Sequence, residues 1–361
     1  MAADQSSQQL NTLNELVRFM TVAGPRFRVV RFKEKSFPVA DCSFTDATFK
    51  MEYCEDGVGL GLMKAVLMKD FFKNGLDELQ SGGTSPNAQQ ACKRLNNFLS
   101  HVPETLDHLK KCKKEEDFNC LFALEVLIPL SSGTCLIDQK STAGRKEERL
   151  KLPNEFGKKG LVIGYSCGYH GELDMVVIPD YQEDLPVLIA SEEERPRPTP
   201  KQAKKAKTET LEEYIEALHR PISLSTLSRS VAMIITFSHM QKECFKTSCA
   251  VPMLRVNPKG VLVLVYDSHK DILLISEVYE WDGIAFLVTW LVLHYSLFPP
   301  SVLSDSLVDC CCGYNTAIKD TKLGEPWYLE SESVLDTEDW NTLFDFMRTN
   351  IKTIQPGQSN S

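Results

Sequence analysis

The stretch Gly171 to Glu194, GELDMVVIPDYQEDLPVLIASEEE, constrains the fold more than any other part of the chain. Its two apolar runs, Leu173 to Ile178 and Pro186 to Ala190, have the length and near-continuous apolar character of strands buried on both faces. A third run, GLVIGY at Gly160 to Tyr165, precedes them across a glycine-rich turn, SCGYHG. Three short buried strands in succession need helices to cover them, which predicts an α/β (mixed α+β) domain. Asp174 stands at the start of the first run and an acid cluster closes the second. Carboxylates so placed can converge on a divalent cation.

The remaining elements agree with a layered fold. Leu13, Leu16, Val17 and Met20 make the apolar stripe of a short helix over Asn11 to Met20. Beyond Gly24 and Pro25, Phe27, Val29, Val30 and Phe32 alternate with Arg26, Arg28, Arg31 and Lys33 as an amphipathic strand. Such a strand can touch phosphate, or its cations can simply keep a sheet edge soluble. The glycine-rich GVGLG at Gly57 to Gly61 stands before LMKAVLMKDFF, the loop-then-helix order that cradles phosphate, but it lacks the full nucleotide-binding pattern and reads as a turn. Ala88 to Leu109 reads as one or two helices interrupted near Pro103. Leu121 to Leu130, LFALEVLIPL, is either a buried strand or the end of a core helix, and Glu125 within it needs a partner, solvent or a metal. Leu224 to Met240 reads as a helix, VLVLVY at Val261 to Tyr266 as a buried strand, and Asp271 to Ser276 as a further apolar segment. Gly283 to Phe298 is an apolar helix too short to span a bilayer comfortably, stopped by Pro299 and Pro300, and so a core helix.

Composition narrows the function. The 361 residues are 43% hydrophobic and 25% charged, enough for one large core or two moderate ones. A net charge of −9 argues against a broad nucleic-acid surface and leaves room only for local basic segments. The N-terminus has no basic start, apolar centre and small-residue cleavage site, so the protein is expected to be intracellular, cytoplasmic or nuclear. Its 12 cysteines are then expected as reduced thiols. No Cys-x-x-Cys pair occurs, and the run Cys310, Cys311, Cys312 cannot turn three sulfurs to one metal, which argues against structural zinc.

In its order of helical material, three strands, helix and strand, the chain resembles the PD-(D/E)XK nuclease-like superfamily, whose restriction-endonuclease-like core runs αβββαβ. The resemblance covers roughly residues 119 to 297. It rests on GELD at Gly171 to Asp174, on PVLIA ending in acids, and on the pair SVAMIITFS and GVLVLVYDS. It implies Mg²⁺ held by an Asp on the second strand and a Glu on the third, with a Lys two residues after that Glu. Asp174 fits the first position, and Glu125 or Glu155 can supplement it. Counted from Pro186, the Glu and Lys positions fall on Ala190 and Glu192; two residues further they fall on Glu192 and Glu194. Glu192 restores a metal ligand, and neither register supplies the lysine, which removes the group that steadies developing negative charge. Asp174, Glu192 and Glu194 are therefore the candidate catalytic residues, with Asp174 and Glu192 the candidate Mg²⁺ ligands. Asp174 can equally be a strand-end acid hydrogen-bonded in its turn, and Tyr169 and His170 can join a site or lie outside one.

The expected organisation is an N-terminal helical tail at 1–25, an α+β region at 26–118, the nuclease-like core at 119–300, and an extension at 301–361 with one amphipathic helix over Glu338 to Ile351. Within the core, a basic insertion at 195–210 carries Lys201, Lys204, Lys205 and Lys207, candidates for nucleic-acid contact or an import signal. The expected function is a catalytically degenerate nuclease-fold protein that binds nucleic acid or a protein partner and does not enter membranes. The alternatives are an active Mg²⁺-dependent nuclease and a non-enzymatic scaffold.

Overall fold

A computed structural model of the chain describes residues 13–22, 24–33, 42–55, 63–112, 115–131, 134–137, 161–163, 169–178, 185–191, 224–245 and 250–316. Thirteen strands are present among them: β1 (Arg26–Phe32), β2 (Cys42–Ser43), β3 (Met51–Tyr53), β4 (Ala65–Leu67), β5 (Thr134–Ile137), β6 (Leu161–Ile163), β7 (Tyr169–Leu173), β8 (Met175–Ile178), β9 (Val187–Ser191), β10 (Val251–Asn257), β11 (Gly260–Asp267), β12 (Ile272–Ser276) and β13 (Tyr279–Glu280). Ten form one mixed sheet in the order β3-β1-β12-β11-β10-β9-β8-β5, with β4 also on β1 and β13 on β11. Strands from 26–67 and from 134–280 thus share a single sheet. All of its pairings are antiparallel except β9 with β10, where Leu254 faces Ile189. The fold is mixed α/β with a mainly antiparallel sheet.

The helices are α1 (13–22), α2 (Met68–Phe71), α3 (Lys73–Ser81), α4 (Pro86–Leu99), α5 (Val102–Lys111), α6 (Glu115–Phe122), α7 (Ser228–Phe245) and α8 (Gly283–Leu293). Their starts follow local chemistry. Ser85 accepts from the Ala88 amide at the head of α4, and Asp282 accepts from the Ala285 amide at the head of α8. Pro103 sits in the first turn of α5, where a missing N–H costs nothing, so the break between α4 and α5 falls one turn earlier than Pro103 suggests.

Every residue of β11 is buried, so this strand is covered on both faces, and α7 and α8 both pack on it. Residues 285–293 of α8 are all buried, and its Trp290 donates from Nε1 to the Ala91 carbonyl at 3.0 Å, tying α8 to α4. No helix among the described residues is long and apolar enough to cross a membrane. α1 buries Leu13, Val17 and Met20, the stripe expected from their spacing. β1 buries Phe27, Val29, Val30 and Phe32 and turns Arg26 and Arg31 outward.

Four expectations need correction. The strand at 161–163 is real, but it pairs with β7 in a separate three-stranded sheet, order β2-β7-β6, and not with the main sheet. Tyr169, His170 and Gly171, expected in a turn, belong to β7. The strand that follows α7 and lies parallel to β9 is Val251–Asn257, with the VLVLVY strand next beyond it. The segment after the glycine-rich loop enters strand β4, paired with β1 through Leu67 and Arg26, before α2 begins, so that loop does not lead straight into a helix. The loop itself, the 195–210 insertion and the helix expected at 338–351 lie outside the described residues.

Candidate functional site

β7 and β8 are one extended segment interrupted at Asp174, where the chain leaves the small sheet and enters the large one. Its β7 half starts with a constraint. Gly171 has φ +152°, and a Cβ there would lie 2.8 Å from the Phe44 ring, so the glycine of GELD is required by geometry. Met175 faces Ile189 on β9, which sets Asp174, one step back, opposite Ala190.

The Asp174 carboxylate is engaged through both oxygens. Oδ2 accepts from the Ser191 backbone N–H at 2.8 Å, and Oδ1 accepts from Arg229 Nη2 at 2.8 Å. Arg229 also donates through Nη1 to the Ser191 carbonyl at 3.2 Å. Asp174 is 14% and Arg229 28% exposed at the side chain, so the pair is largely withdrawn from water. One aspartate thereby joins the β7–β8 bend, the end of β9 and the first turn of α7. Arg229 is the residue that sequence reasoning missed. Its signal was available: it is the one Lys, Arg, Asp or Glu between Leu224 and Gln241. A charge in that setting calls for a buried partner.

Glu192, Glu194, Lys201, Lys204, Lys205 and Lys207, and Glu155 with them, lie outside the described residues. Among the described residues no group of three or more His, Cys, Asp and Glu side chains is arranged to hold a metal ion. Asp174 thus has one oxygen on a guanidinium and the other on a backbone amide.

Glu125, the other flagged acid, has a partner of its own. His108 Nδ1 lies 2.9 Å from Oε1 and 3.0 Å from Oε2. The helix continuing α6 is wound as a π turn over Ala123–Leu127, closed by the Ile128 amide on the Ala123 carbonyl. Pro129, next in the chain, has no N–H to give to the Glu125 carbonyl. The segment 121–130 is thus helical, and its acid is matched by a histidine on α5.

Arg28 and Arg31 of β1, and Lys33 beyond it, are also matched. Arg31 and Lys33 both reach Glu52, and Arg28 reaches Glu277 while its guanidinium lies 5.6 Å from the Tyr53 ring centroid. The Arg31 bond holds the Glu52 carboxyl below the usual range. The surroundings of β1 thus carry charges of both signs.

A further polar cluster among the described residues lies around the β11–β12 turn. Asp267 Oδ1 accepts from the His269 and Lys270 amides, and Asp271 follows with φ +57°. Asp271 Oδ1 accepts from the Tyr266 hydroxyl and the Cys312 thiol, each at 2.8 Å, and Oδ2 from the Asn315 amide at 3.0 Å. Burial raises the Asp271 carboxyl despite these donors. Burial likewise pushes the thiol of Cys312 well above its ordinary value, as expected of a structural sulfur and not of a nucleophile. His239 sits against the Tyr266 and Tyr314 rings, each 5.8 Å between centroids, and burial lowers it to about 3. Tyr169, once a site candidate, is buried in this region, stacked on Tyr314 at 6.0 Å and edge-on to Phe49 at 5.3 Å. The cluster fastens the segment after α8 to the sheet.

No family model, curated protein or solved structure matches the chain.

Proposed function

We propose that this chain is a non-hydrolytic protein, built on an αβββαβ core of the PD-(D/E)XK nuclease-like kind, that acts by binding another protein. Support for the core comes from α6, β5, β8, β9, α7 and β10, which occur in that order and, through the strands, lie side by side. On this reading β6 and β7 are an insertion between the first and second core strands. The observation that carries the loss of hydrolysis is the Asp174–Arg229 pair facing Ala190. The acid that would bind metal is used as a fastener, and the residue across from it is a methyl group. A net charge of −9, with Arg28 and Arg31 of β1 matched by Glu277 and Glu52, favours a protein partner over nucleic acid.

The test is direct. Purified protein incubated with supercoiled plasmid and linear single strands in Mg²⁺ or Mn²⁺ should leave both intact, and neither cation should raise its Tm. Cleavage abolished by Asp174→Asn, in protein that still folds, would replace this reading with the active nuclease. An Asp174-dependent Mg²⁺ shift without cleavage would identify a retained metal pocket shared with Glu192. Retarded migration of nucleic acid that disappears when Lys201, Lys204, Lys205 and Lys207 are neutralised would move the partner from protein to nucleic acid.

A further inference from the structure

After α8 the chain turns through a 3-10 helix, Asp305–Cys310, that packs on β1 and β12. Leu303, Leu307 and Cys310 are buried and seat this turn, while Val302, Ser304, Asp305, Ser306, Val308 and Asp309 are exposed. Two lysines rooted in other elements reach it. Lys270 Nζ, from the β11–β12 turn, donates to the Leu303 carbonyl at 2.5 Å and to Asp305 Oδ1 at 2.6 Å. Lys64 Nζ donates to the Ser306 carbonyl at 2.6 Å. The backbone of Lys64 is itself fixed, its N–H donating to the Cys54 carbonyl at 2.7 Å and its carbonyl accepting from the Val29 amide at 3.0 Å. Lys270 thus ends on a carboxylate, whereas Lys64 ends on a neutral carbonyl and forms no ion pair among the described residues. The hydroxyl of Ser306, on the residue that Lys64 holds, shares a hydrogen bond with the Ser304 hydroxyl at 2.9 Å.

We propose that Ser306 is a phosphorylation site, modified by an ATP-dependent, acid-directed serine kinase, and that Lys64 receives the phosphate. Asp305 just before the serine and Asp309 one turn after it suit a kinase with a basic substrate cleft. In the transfer, Ser306 Oγ attacks the γ-phosphorus of ATP. An O–P bond forms, the bond from that phosphorus to the bridging oxygen breaks, ADP leaves, and the hydroxyl proton passes to the base of the kinase. The product carries a charge of about −1.5 to −2. Where an ammonium met only a neutral carbonyl, it then meets a dianion on the same residue, a stronger charge-assisted contact. Asp305, the adjacent acid, is held on Lys270, which limits its repulsion of the new charge. Phosphorylation therefore fastens the segment after α8 to the strands that position Lys64.

The test uses the full-length protein with Mg²⁺, ATP and casein kinase II, an acid-directed enzyme. Cleavage before aspartates places Ser306 in peptide 305–308 and Ser304 in peptide 282–304, and mass spectrometry should find phosphate on the first and not on the second. The phosphorylated protein should unfold at a Tm about 2–4 °C above that of the unmodified protein. The rise should shrink in high salt, as an exposed ion pair requires. Lys64→Gln should accept the phosphate and lose the rise. The proposal is overturned if peptide 305–308 stays unmodified, if phosphate on Ser306 leaves the Tm unchanged or lowers it, or if the rise survives Lys64→Gln or high salt. Because the salt series is run on the wild-type protein, poor folding of the variant leaves the ionic role of Lys64 open to refutation.

Discussion

At the residue scale, Asp174 and Arg229 give opposite expectations under the two readings of the site. A carboxylate kept for metal binding is a liability to the apo fold, and neutralising it should stabilise or do nothing. A fastener should behave in the reverse sense. Asp174→Ala strands the Arg229 guanidinium and the Ser191 amide, and should cost about 1–3 kcal/mol in urea unfolding. Asp174→Asn, which keeps an acceptor for the amide, should cost less. In a double-mutant cycle with Arg229→Ala the coupling should be about 1–2 kcal/mol. A coupling near zero would deny the pair its structural role. The second residue-scale prediction concerns acid. Burial lowers His239 to about 3 and His294 to about 4, while both would titrate near 6.5 in the unfolded chain. The unfolded state therefore binds more protons, so the stability these histidines contribute is fully present above about pH 6.5 and is lost as pH falls towards their folded values. Each should withdraw about 2 kcal/mol by pH 5, from roughly 1.4 kcal/mol per pH unit. Urea midpoints measured between pH 5 and 7.5 should fall accordingly, and His294→Gln should flatten the slope. Asp174 itself was legible as a special position. Its partner was not, because 55 residues separate the two and no spacing rule joins a strand bend to the first turn of a helix across such a gap.

At the scale of elements, the legible parts were those whose sequence satisfies one rule without conflict. VLVLVY is a strand by any count, and α8 is a continuous apolar run between an N-cap aspartate and two prolines. β10 was missed because VPMLRVN carries Pro252 and Arg255, both marks against a central strand. The fold accommodates the proline: β9 pairs with β10 only at Leu254, Arg255 and Val256, beyond Pro252. β5 was missed because four residues amid polar neighbours carry too little periodicity to stand out. The bend between β7 and β8 supplies the prediction at this scale. Gly171→Ala adds a Cβ at positive φ against the Phe44 ring, and should destabilise by about 1–3 kcal/mol. Phe44→Leu, itself mildly destabilising, should recover part of that loss when combined with it. If the alanine variant unfolds at the wild-type urea midpoint, the positive φ is not a requirement of the fold.

At the scale of the whole molecule, the sequence disclosed the layers better than the connections. Helix-covered apolar strands follow from hydrophobic runs alone, whereas the order of strands in the sheet depends on long-range pairing that no local pattern carries. β1, near the N-terminus, lies between β3 and β12, and that neighbour is set by the match of Phe27 with Ser276 and Val30 with Leu273. The consequence is a strongly uneven distribution of stability. β10, β11 and β12 are flanked by strands on both sides and almost wholly buried, so their amides open only when the entire sheet does. The three-stranded sheet has a two-residue strand on one side of β7 and a three-residue strand on the other, and its loss leaves the ten-stranded sheet paired. Hydrogen exchange followed by mass spectrometry should therefore show two tiers. Peptides from 251–276 should exchange with the full unfolding free energy and respond to urea with the global slope. Peptides from 161–163 and 169–173 should exchange through a smaller opening with a weaker urea dependence, and Gly171→Ala should accelerate the second tier more than the first. Equal protection of both tiers would mean that the small sheet is part of the cooperative core, and that the Asp174 bend transmits its stability across the whole molecule instead of marking a boundary within it.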